Sequence, residues 1–135
     1  MAGESQIIVT LAGQKRIDAQ VGRHVVHTDQ PIQGGGEDAA PTPFALFLAS
    51  LGTCAGIFVA GFCQKRGLPT EGIRIVEKVR YGEDGALAAV DLDIEVPPSF
   101  PEKYRDALVR VADQCSVKRA IQAPPQFAVR TVVQP

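Results

Sequence analysis

An uncharged run between Ala39 and Cys63 constrains the fold of this chain more than any other feature. From Pro43 to Arg66 the chain is long enough for about six helical turns. Because every face of such a helix is apolar, it must be buried on all sides, in a protein core or in lipid. Its large side chains recur at three- and four-residue steps and predict one continuous helical face: Phe47, Leu51, Cys54, Phe58 and Phe62.

The run also meets the length criterion for a membrane-spanning helix, and Gly52 and Gly56 form a G-x-x-x-G pattern. Glycines and hydroxyl residues interrupt it, however, and the rest of the chain reads as strands that need this helix as their core. We therefore expect a core helix and no membrane. A helix of about 35 Å is long for one domain of 135 residues, so a second subunit is expected to cover part of it.

The strand and helix patterns on either side of this run predict the α+β class. A second helix is expected after Pro101, where an apolar stripe ends at Cys115, and a short helical turn follows at Val117–Ile121. The predicted order is βββ-α-ββ-α-α-β in a single domain spanning residues 1–135. The strands are expected at residues 6–12, 15–20, 23–28, 73–81, 87–96 and 127–133.

Several short signals predict where these elements begin, end and pair. Thr42 is a good N-cap, Pro43 a good first helical residue, and Gly67 a natural residue to end the central helix. Gly82–Gly85 predicts a hairpin turn. The hairpin's solvent face is expected to pair the bases Arg74, Lys78 and Arg80 with the acids Asp91, Asp93 and Glu95.

Composition excludes several classes of function. The net charge is −1 with acids and bases interspersed, so no nucleic-acid partner is expected. His24 and His27 lie three apart on one predicted strand and face opposite ways, which argues against a metal site. The loop Gly34–Ala39 fits a dinucleotide fingerprint only loosely, since it contains two acids and lies outside any βαβ unit. We expect no cofactor.

The three cysteines carry the functional question. No C-x-x-C occurs, and no charged-then-apolar leader is seen, so we expect a cytoplasmic protein with reduced thiols. Cys63 follows Cys54 by nine residues and lies on the opposite side of the helix. The pattern leaves open whether Cys54 and Cys115 are buried packing residues or a functional thiol pair. Arg16 or Arg23 beside a thiol would lower its pKa.

With these residues laid out, the chain resembles the OsmC/Ohr family, the osmotically inducible and organic hydroperoxide resistance proteins. The resemblance covers about residues 6–133. It is carried by Asp29-x-Pro31 with the glycines 34–36, by Pro41-x-Pro43, by the segment Leu46–Cys54, by Arg66-Gly67-Leu68, and by Cys115-Ser116-Val117-Lys118.

The resemblance implies an intertwined homodimer in which a curved antiparallel sheet wraps long central helices. It also implies an organic hydroperoxide reductase that acts in oxidative stress defence. Cys54 would be the peroxidatic thiolate, Cys115 the resolving thiol, and an external dithiol the reductant. The family's arginine, which polarises the thiolate, best matches Arg16, with Arg23 as its substitute. Apolar surroundings would suit a fatty or aryl hydroperoxide.

The chain departs from the family directly after the proline that opens the central helix. Active members carry a glutamate there, which holds the arginine, whereas this chain has Phe44. Glu37 or Asp38 could replace the missing carboxylate. The alternative is a non-catalytic dimer of the same fold that binds a small apolar or thiol-bearing molecule and has lost peroxidase activity. A purely structural or partner-binding dimer is a third possibility.

Overall fold

The computed structural model describes residues 3–135, and the chain divides into two compact units, residues 1–49 and 50–135. Antiparallel sheets and helices alternate in the predicted order as far as the last helix, so the α+β class is confirmed. The single domain stays a prediction. The elements are β1 (Ile7–Gly13), β2 (Arg16–Val21), β3 (His24–Thr28), α1 (Pro43–Lys65), β4 (Arg74–Tyr81), β5 (Leu87–Glu95), α2 (Arg105–Ala112) and α3 (Ser116–Gln122).

The first unit is built on an antiparallel meander of β1, β2 and β3. Residue Val21 pairs with Ile7 on one side and with His24 on the other. A two-residue turn therefore joins β2 to β3, and Arg23, which was expected to begin the third strand, lies in that turn. The whole of β1 is exposed although it is apolar.

A buried carboxylate organises the loop that leads from β3 into α1. Asp29 is only 1% exposed, and its carboxylate accepts hydrogen bonds from the backbone N–H groups of Gln30 (2.8 Å), Glu37 (3.2 Å) and Ala39 (3.1 Å). These bonds, that of Gln30 first, hold the pKa of Asp29 below its ordinary value. Its own N–H donates to the carbonyl of Pro41 at 3.2 Å.

Both predicted ends of α1 are confirmed. The hydroxyl of Thr42 accepts from the N–H of Ala45 at 3.1 Å, which satisfies a free donor of the first turn. At the other end Gly67 has a φ of 64°, and the N–H of Leu68 donates to the carbonyl of Cys63 at 2.9 Å. This bond and the positive φ of the glycine form a Schellman motif.

The buried face of α1 differs from the face that periodicity predicts. Only Leu51 and Phe62 belong to both, because a helix that is apolar all round offers no polar contrast from which to choose a face. Ile57 is 70% exposed within the single chain, so burial of the remaining faces by a second subunit stays a prediction. The buried residues of α1 are Leu51, Ala55, Val59, Phe62 and Cys63.

By length and composition α1 could cross a membrane. An 18-residue window of the helix has a mean hydropathy of 2.0, and 28% of that window is buried within the described residues. The core helix of a soluble protein meets the same criterion, so this finding is weak evidence. The absence of a membrane partner stays a prediction.

The hairpin of β4 and β5 covers the core side of the second unit. The register pairs Arg74 with Glu95 and Val79 with Val90, which places Ile75 and Ile94 on the face that packs against the core cluster. The predicted ion pairs form on the solvent face, where water and salt screen them and each contributes little to stability. They are Arg74–Glu95 (2.6 Å), Lys78–Asp93 (2.9 Å) and Arg80–Asp91 (2.6 Å).

The second predicted helix is shorter than expected, and Cys115 does not belong to it. A 3₁₀ turn at Glu102–Tyr104 precedes α2, which ends at Ala112. Cys115 instead lies outside the helix, with a φ of −50° and a ψ of 123°, and is the N-cap of α3. The chain turns between the two helices, where the N–H of Asp113 still bonds to the carbonyl of Val109 at 3.0 Å. The short helix expected after Cys115 is confirmed as α3.

The predicted last strand is absent from the described residues. Residues 124–135 have no regular secondary structure, and Phe127 and Val129 are 85% and 99% exposed. Apolar β-branched residues favour a strand, but a strand forms only where another strand offers hydrogen bonds. The final β of the predicted order is therefore wrong for this chain.

Candidate functional site

The reactive candidate Cys54 lies in the middle of α1, beside the start of α3. Its Sγ is 3.4 Å from the hydroxyl oxygen of Ser116, and the residue is partly exposed. The uncharged helix places the thiol, and the turn after α2 brings the first residues of α3 to it. The site thus joins two segments that lie 62 residues apart in the chain.

Hydrogen-bond donors around Cys54 stabilise its thiolate. They lower the pKa of Cys54 from 9.0 to about 7. The hydroxyl of Ser116 has the largest effect, followed by the backbone N–H of Val117, while partial burial opposes the shift. The Cys115 thiol and the N–H of Ser116 lower the pKa further. About half of the Cys54 side chains are therefore thiolate near pH 7, and the thiolate is the nucleophilic form.

Cys115 is the second thiol of the site and is almost fully buried, with 3% exposure. Its Sγ accepts a hydrogen bond from the N–H of Lys118 at 3.4 Å and lies 4.0 Å from the carbonyl oxygen of Leu51. The Cys115 thiol also lowers the pKa of Cys54, and Ser116, next to it in the chain, contacts the Cys54 Sγ. The structure therefore brings these two predicted site residues together. Both are free thiols.

Cys63 lies in a different environment on the same helix. It is fully buried, in a cluster that includes Val59 and Leu108. Burial raises the pKa of Cys63, and the charge of Arg66 offsets only part of that rise. A neutral thiol in an apolar core is a packing residue, so Cys63 does not belong to the site.

The two candidate arginines lie in the first unit. Arg16 begins β2, and its charge helps to lower the pKa of Asp29. It lines a cavity of about 320 Å³ together with Asp18 and His27, whose side chains are hydrogen-bonded at 3.0 Å. The role of Arg16, or of Arg23, beside Cys54 stays a prediction.

Phe44 occupies the second position of α1, where the resemblance to the OsmC/Ohr family implies a glutamate. Its ring is 48% exposed and lies 5.5 Å from that of Phe47, centroid to centroid. Two acids could replace the glutamate. Glu37 donates its backbone N–H to Asp29, and Asp38 donates its backbone N–H to the carbonyl of Gln30 at 3.0 Å. Neither contact involves the acid's own carboxylate.

No role was predicted for Ser116, whose hydroxyl makes the largest contribution to the lowered pKa of Cys54. One signal could have found it. A hydroxyl residue between a cysteine and a short predicted helix stands at the helix start, where side-chain and backbone donors have no partner within the helix. Among residues 3–135, no three His, Cys, Asp or Glu side chains are grouped so that they could hold a metal ion.

Comparison with known proteins relates this arrangement to a family. Among solved structures, an OsmC-like protein from Mycoplasma pneumoniae has a TM-score of 0.70 at 14% identity, covering 92% of this chain and 91% of its own. A protein from Psychrobacter arcticus 273-4, named for a proposed role in the osmotic stress and detoxification response, has a TM-score of 0.75 at 19% identity, with 89% and 90% covered.

An organic hydroperoxide resistance protein from Elizabethkingia anophelis, solved with thiocyanate bound, has a TM-score of 0.63 at 20% identity, with 92% and 93% covered. At these identities the likeness establishes the fold alone. No curated protein matches the chain. The sequence model of OsmC-like proteins matches residues 34–130, well over half of the chain and the whole of the thiol site. This chain therefore belongs to the OsmC family of OsmC-like proteins.

Proposed function

We propose that this OsmC-like chain is a thiol-dependent redox protein that reduces organic hydroperoxides, with Cys54 as the peroxidatic and Cys115 as the resolving thiol. One observation carries the proposal. The hydroxyl of Ser116, the residue after Cys115, lies 3.4 Å from the Cys54 Sγ, and the donors at the start of α3 together with the Cys115 thiol lower the pKa of Cys54 to about 7. Peroxide reduction through a disulfide needs a thiolate and a neighbouring thiol together.

The chemistry has three balanced steps. The Cys54 thiolate attacks the terminal oxygen of the hydroperoxide, forming an S–O bond while the O–O bond breaks, and the released alkoxide takes up a proton to leave as an alcohol. The Cys115 sulfur then displaces hydroxide from the sulfenic acid, giving a disulfide and water. An external dithiol finally reduces the disulfide to two thiols and is itself oxidised to a disulfide.

Ser116 can stabilise the Cys54 thiolate although the glutamate is missing. In the active relatives a carboxylate holds an arginine that polarises the thiolate, whereas here a hydroxyl and two backbone N–H groups lower the Cys54 pKa without any arginine. Arg16, with Arg23 as substitute, remains our candidate for a further cation at the thiolate. The alternative is a non-catalytic dimer that binds a small molecule. The replacement of the glutamate by Phe44 favours it, and the lowered pKa of Cys54 argues against it.

The remaining parts of the proposal are its assembly and location. We propose a homodimer in the cytoplasm. The fully exposed apolar strand β1 and the exposed side chains of Phe127 and Val129 support a second copy, because apolar surface of this extent usually marks an interface. Organic hydroperoxide resistance proteins of the same fold support the substrate class.

The test is turnover of cumene hydroperoxide by the reduced protein, with dithiothreitol or dihydrolipoamide as reductant. We expect consumption of the peroxide and, after one equivalent without reductant, a mass loss of two hydrogens mapped to Cys54–Cys115. Cys54→Ser should abolish both. Unchanged mass together with no consumption by any dithiol would refute the peroxidase and leave the non-catalytic binding protein.

Four variants separate the roles of the other residues. Cys115→Ser should trap Cys54 as a sulfenic acid that excess peroxide oxidises further, whereas Cys63→Ser, the matched cysteine control, should still form the disulfide. Arg16→Gln should slow the reaction more than Arg23→Gln if Arg16 is the cation at the thiolate. Equal rates for both arginine variants and the native chain would remove the arginine from the mechanism.

A further inference from the structure

The groups that lower the pKa of Cys54 come from three consecutive residues, Cys115, Ser116 and Val117. They lie where α2, which ends at Ala112, gives way to α3. A hydrogen-bond donor stabilises a charge best when it is already held in place before the charge forms. Whatever fixes this turn therefore sets the acidity of a thiol that lies 62 residues away from Ser116 in the chain.

An ion pair crosses this turn from one side to the other. The carboxylate of Asp113, the first residue after α2, pairs with the ammonium group of Lys118, which lies in the first turn of α3. The four residues between them include the three that act on Cys54. The pair therefore closes a ring of side chains and backbone around the segment that carries the donors.

Backbone hydrogen bonds attach the two partners of this pair to their surroundings. The N–H of Asp113 donates to the carbonyl of Val109 at 3.0 Å, which fixes the acid to α2, and α2 buries Leu108 in the core. The N–H of Lys118 donates to the Sγ of Cys115 at 3.4 Å. Lys118 thus contacts the second thiol through its backbone and Asp113 through its side chain.

The ion pair lies at the surface of the chain. The side chains of Asp113 and Lys118 are 69% and 36% exposed. Ion pairs in such a place contribute little to the stability of a fold, because water and salt screen them. The effect of this pair is therefore local, since it reduces the number of conformations that a short turn can adopt.

We infer that Asp113 and Lys118 are positioning residues for the thiol site, and that their ion pair holds the turn at Cys115–Val117 with its donors against Cys54. Neither charged group takes part in the reaction itself. Their role rests on the proposed function, because it belongs to the same site, but its test needs no peroxide.

The decisive test is the pH midpoint of Cys54 alkylation by iodoacetamide in Asp113→Asn, followed by peptide mass spectrometry. Loss of the ion pair should release the turn and raise the midpoint by about half a unit, which corresponds to an about threefold weaker acid. A direct effect of the charge has the opposite sign, because removing a negative charge near a thiolate favours the thiolate and lowers the midpoint. An unchanged or lower midpoint would therefore overturn the inference.

Two further variants make the result specific to this pair. The exchange of Asp113→Lys together with Lys118→Asp restores an ion pair and should bring the Cys54 midpoint back towards its native value, and a midpoint as high as in Asp113→Asn would overturn the inference. Asp91→Asn, the matched control, removes the exposed Arg80–Asp91 pair of the hairpin and should leave the Cys54 midpoint unchanged.

Urea denaturation separates positioning from a structural role. The urea midpoint of Asp113→Asn should stay close to that of Asp91→Asn and of the native chain, because all three lose or keep only an exposed ion pair. A urea midpoint that falls far more in Asp113→Asn than in Asp91→Asn would make the pair a structural one and would overturn the inference.

The peroxide reaction gives a second readout and separates the two proposals. After one equivalent of cumene hydroperoxide, Asp113→Asn should form the Cys54–Cys115 disulfide several-fold more slowly than the native chain, because Cys115 is held less firmly beside Cys54. If the native chain consumes no peroxide while the alkylation midpoint rises in Asp113→Asn, the proposed function is wrong and the positioning role is retained. If the native chain turns over and the alkylation midpoint does not rise, the positioning role is wrong and the proposed function is retained.

Discussion

Two thiols on one helix, nine residues apart, have opposite acid–base behaviour. The pKa of Cys54 is lowered to about 7, and that of Cys63 is raised by burial. Both residues belong to the same uncharged segment, so neither the helix nor its composition explains the difference. What differs is the set of groups that surrounds each thiol.

Cys54 meets polar donors from another element, namely the hydroxyl of Ser116 and backbone N–H groups at the start of α3. Cys63 meets apolar side chains of the core cluster, such as Leu108 and Val59. Hydrogen bonds to the charged form lower a thiol pKa, and desolvation without them raises it. A helix of this kind can therefore hold one reactive and one inert thiol.

The largest expected effect concerns alkylation. At pH 7 a thiol of pKa about 7 is half ionised, whereas one of pKa 9.0 or above is at most about 1% ionised. We expect iodoacetamide to modify Cys54 at least about 50-fold faster than Cys63 in the folded protein, as followed by peptide mass spectrometry. In urea the two rates should converge, and equal rates in the folded protein would contradict the assignment.

Substitution by serine should affect the stability of the fold more at Cys63 than at Cys54, the reverse of their order in reactivity. Cys63→Ser places a hydroxyl without a partner in an apolar core and should lower the free energy of unfolding by about 2 kcal/mol. At pH 7 Cys54→Ser retains a polar neighbour and should change it by less than about 0.5 kcal/mol. Urea denaturation under reducing conditions measures both, and a larger loss at Cys54 would contradict the comparison.

Removing the hydroxyl of Ser116, the main hydrogen-bond donor, should make the Cys54 thiol less acidic, as the Cys63 thiol is. Ser116→Ala should raise the pKa of Cys54, so that the midpoint of the alkylation rate against pH moves upward by up to about one unit. Ser116→Thr keeps the hydroxyl and should restore the native midpoint. An unchanged midpoint in Ser116→Ala would mean that the backbone N–H groups alone stabilise the thiolate.

A further expected effect is on stability against pH. The pKa of Cys54 is lower in the folded protein than its ordinary value of 9.0, so between pH 7 and 9 the unfolded chain binds more protons than the folded one. Stability from this group therefore rises with pH across that window and is lost as pH falls through about 7. Urea denaturation of the native chain and of Cys54→Ser at pH 7 and pH 9 should show the rise in the native chain only.

Local chemistry made much of the fold predictable. Thr42 and Gly67 mark the ends of α1 because capping depends on a few neighbouring residues. The ion pairs of the hairpin follow from the alternation of charges on two strands whose register a short turn determines. The position of Cys115 was predicted less well, since a stripe that continues past Ala112 does not reveal that the helix itself has stopped there.

By itself, the sequence determined the α+β class, the central helix, the hairpin and the two candidate thiols, because periodicity, caps and turns act over a few residues. Only the tertiary structure decided which face of α1 is buried, that Ser116 and α3 stand beside Cys54, and that residues 124–135 form no strand within this chain. Each of these depends on a contact between distant segments, and an apolar helix or a β-prone segment is compatible with several such contacts until the chain packs.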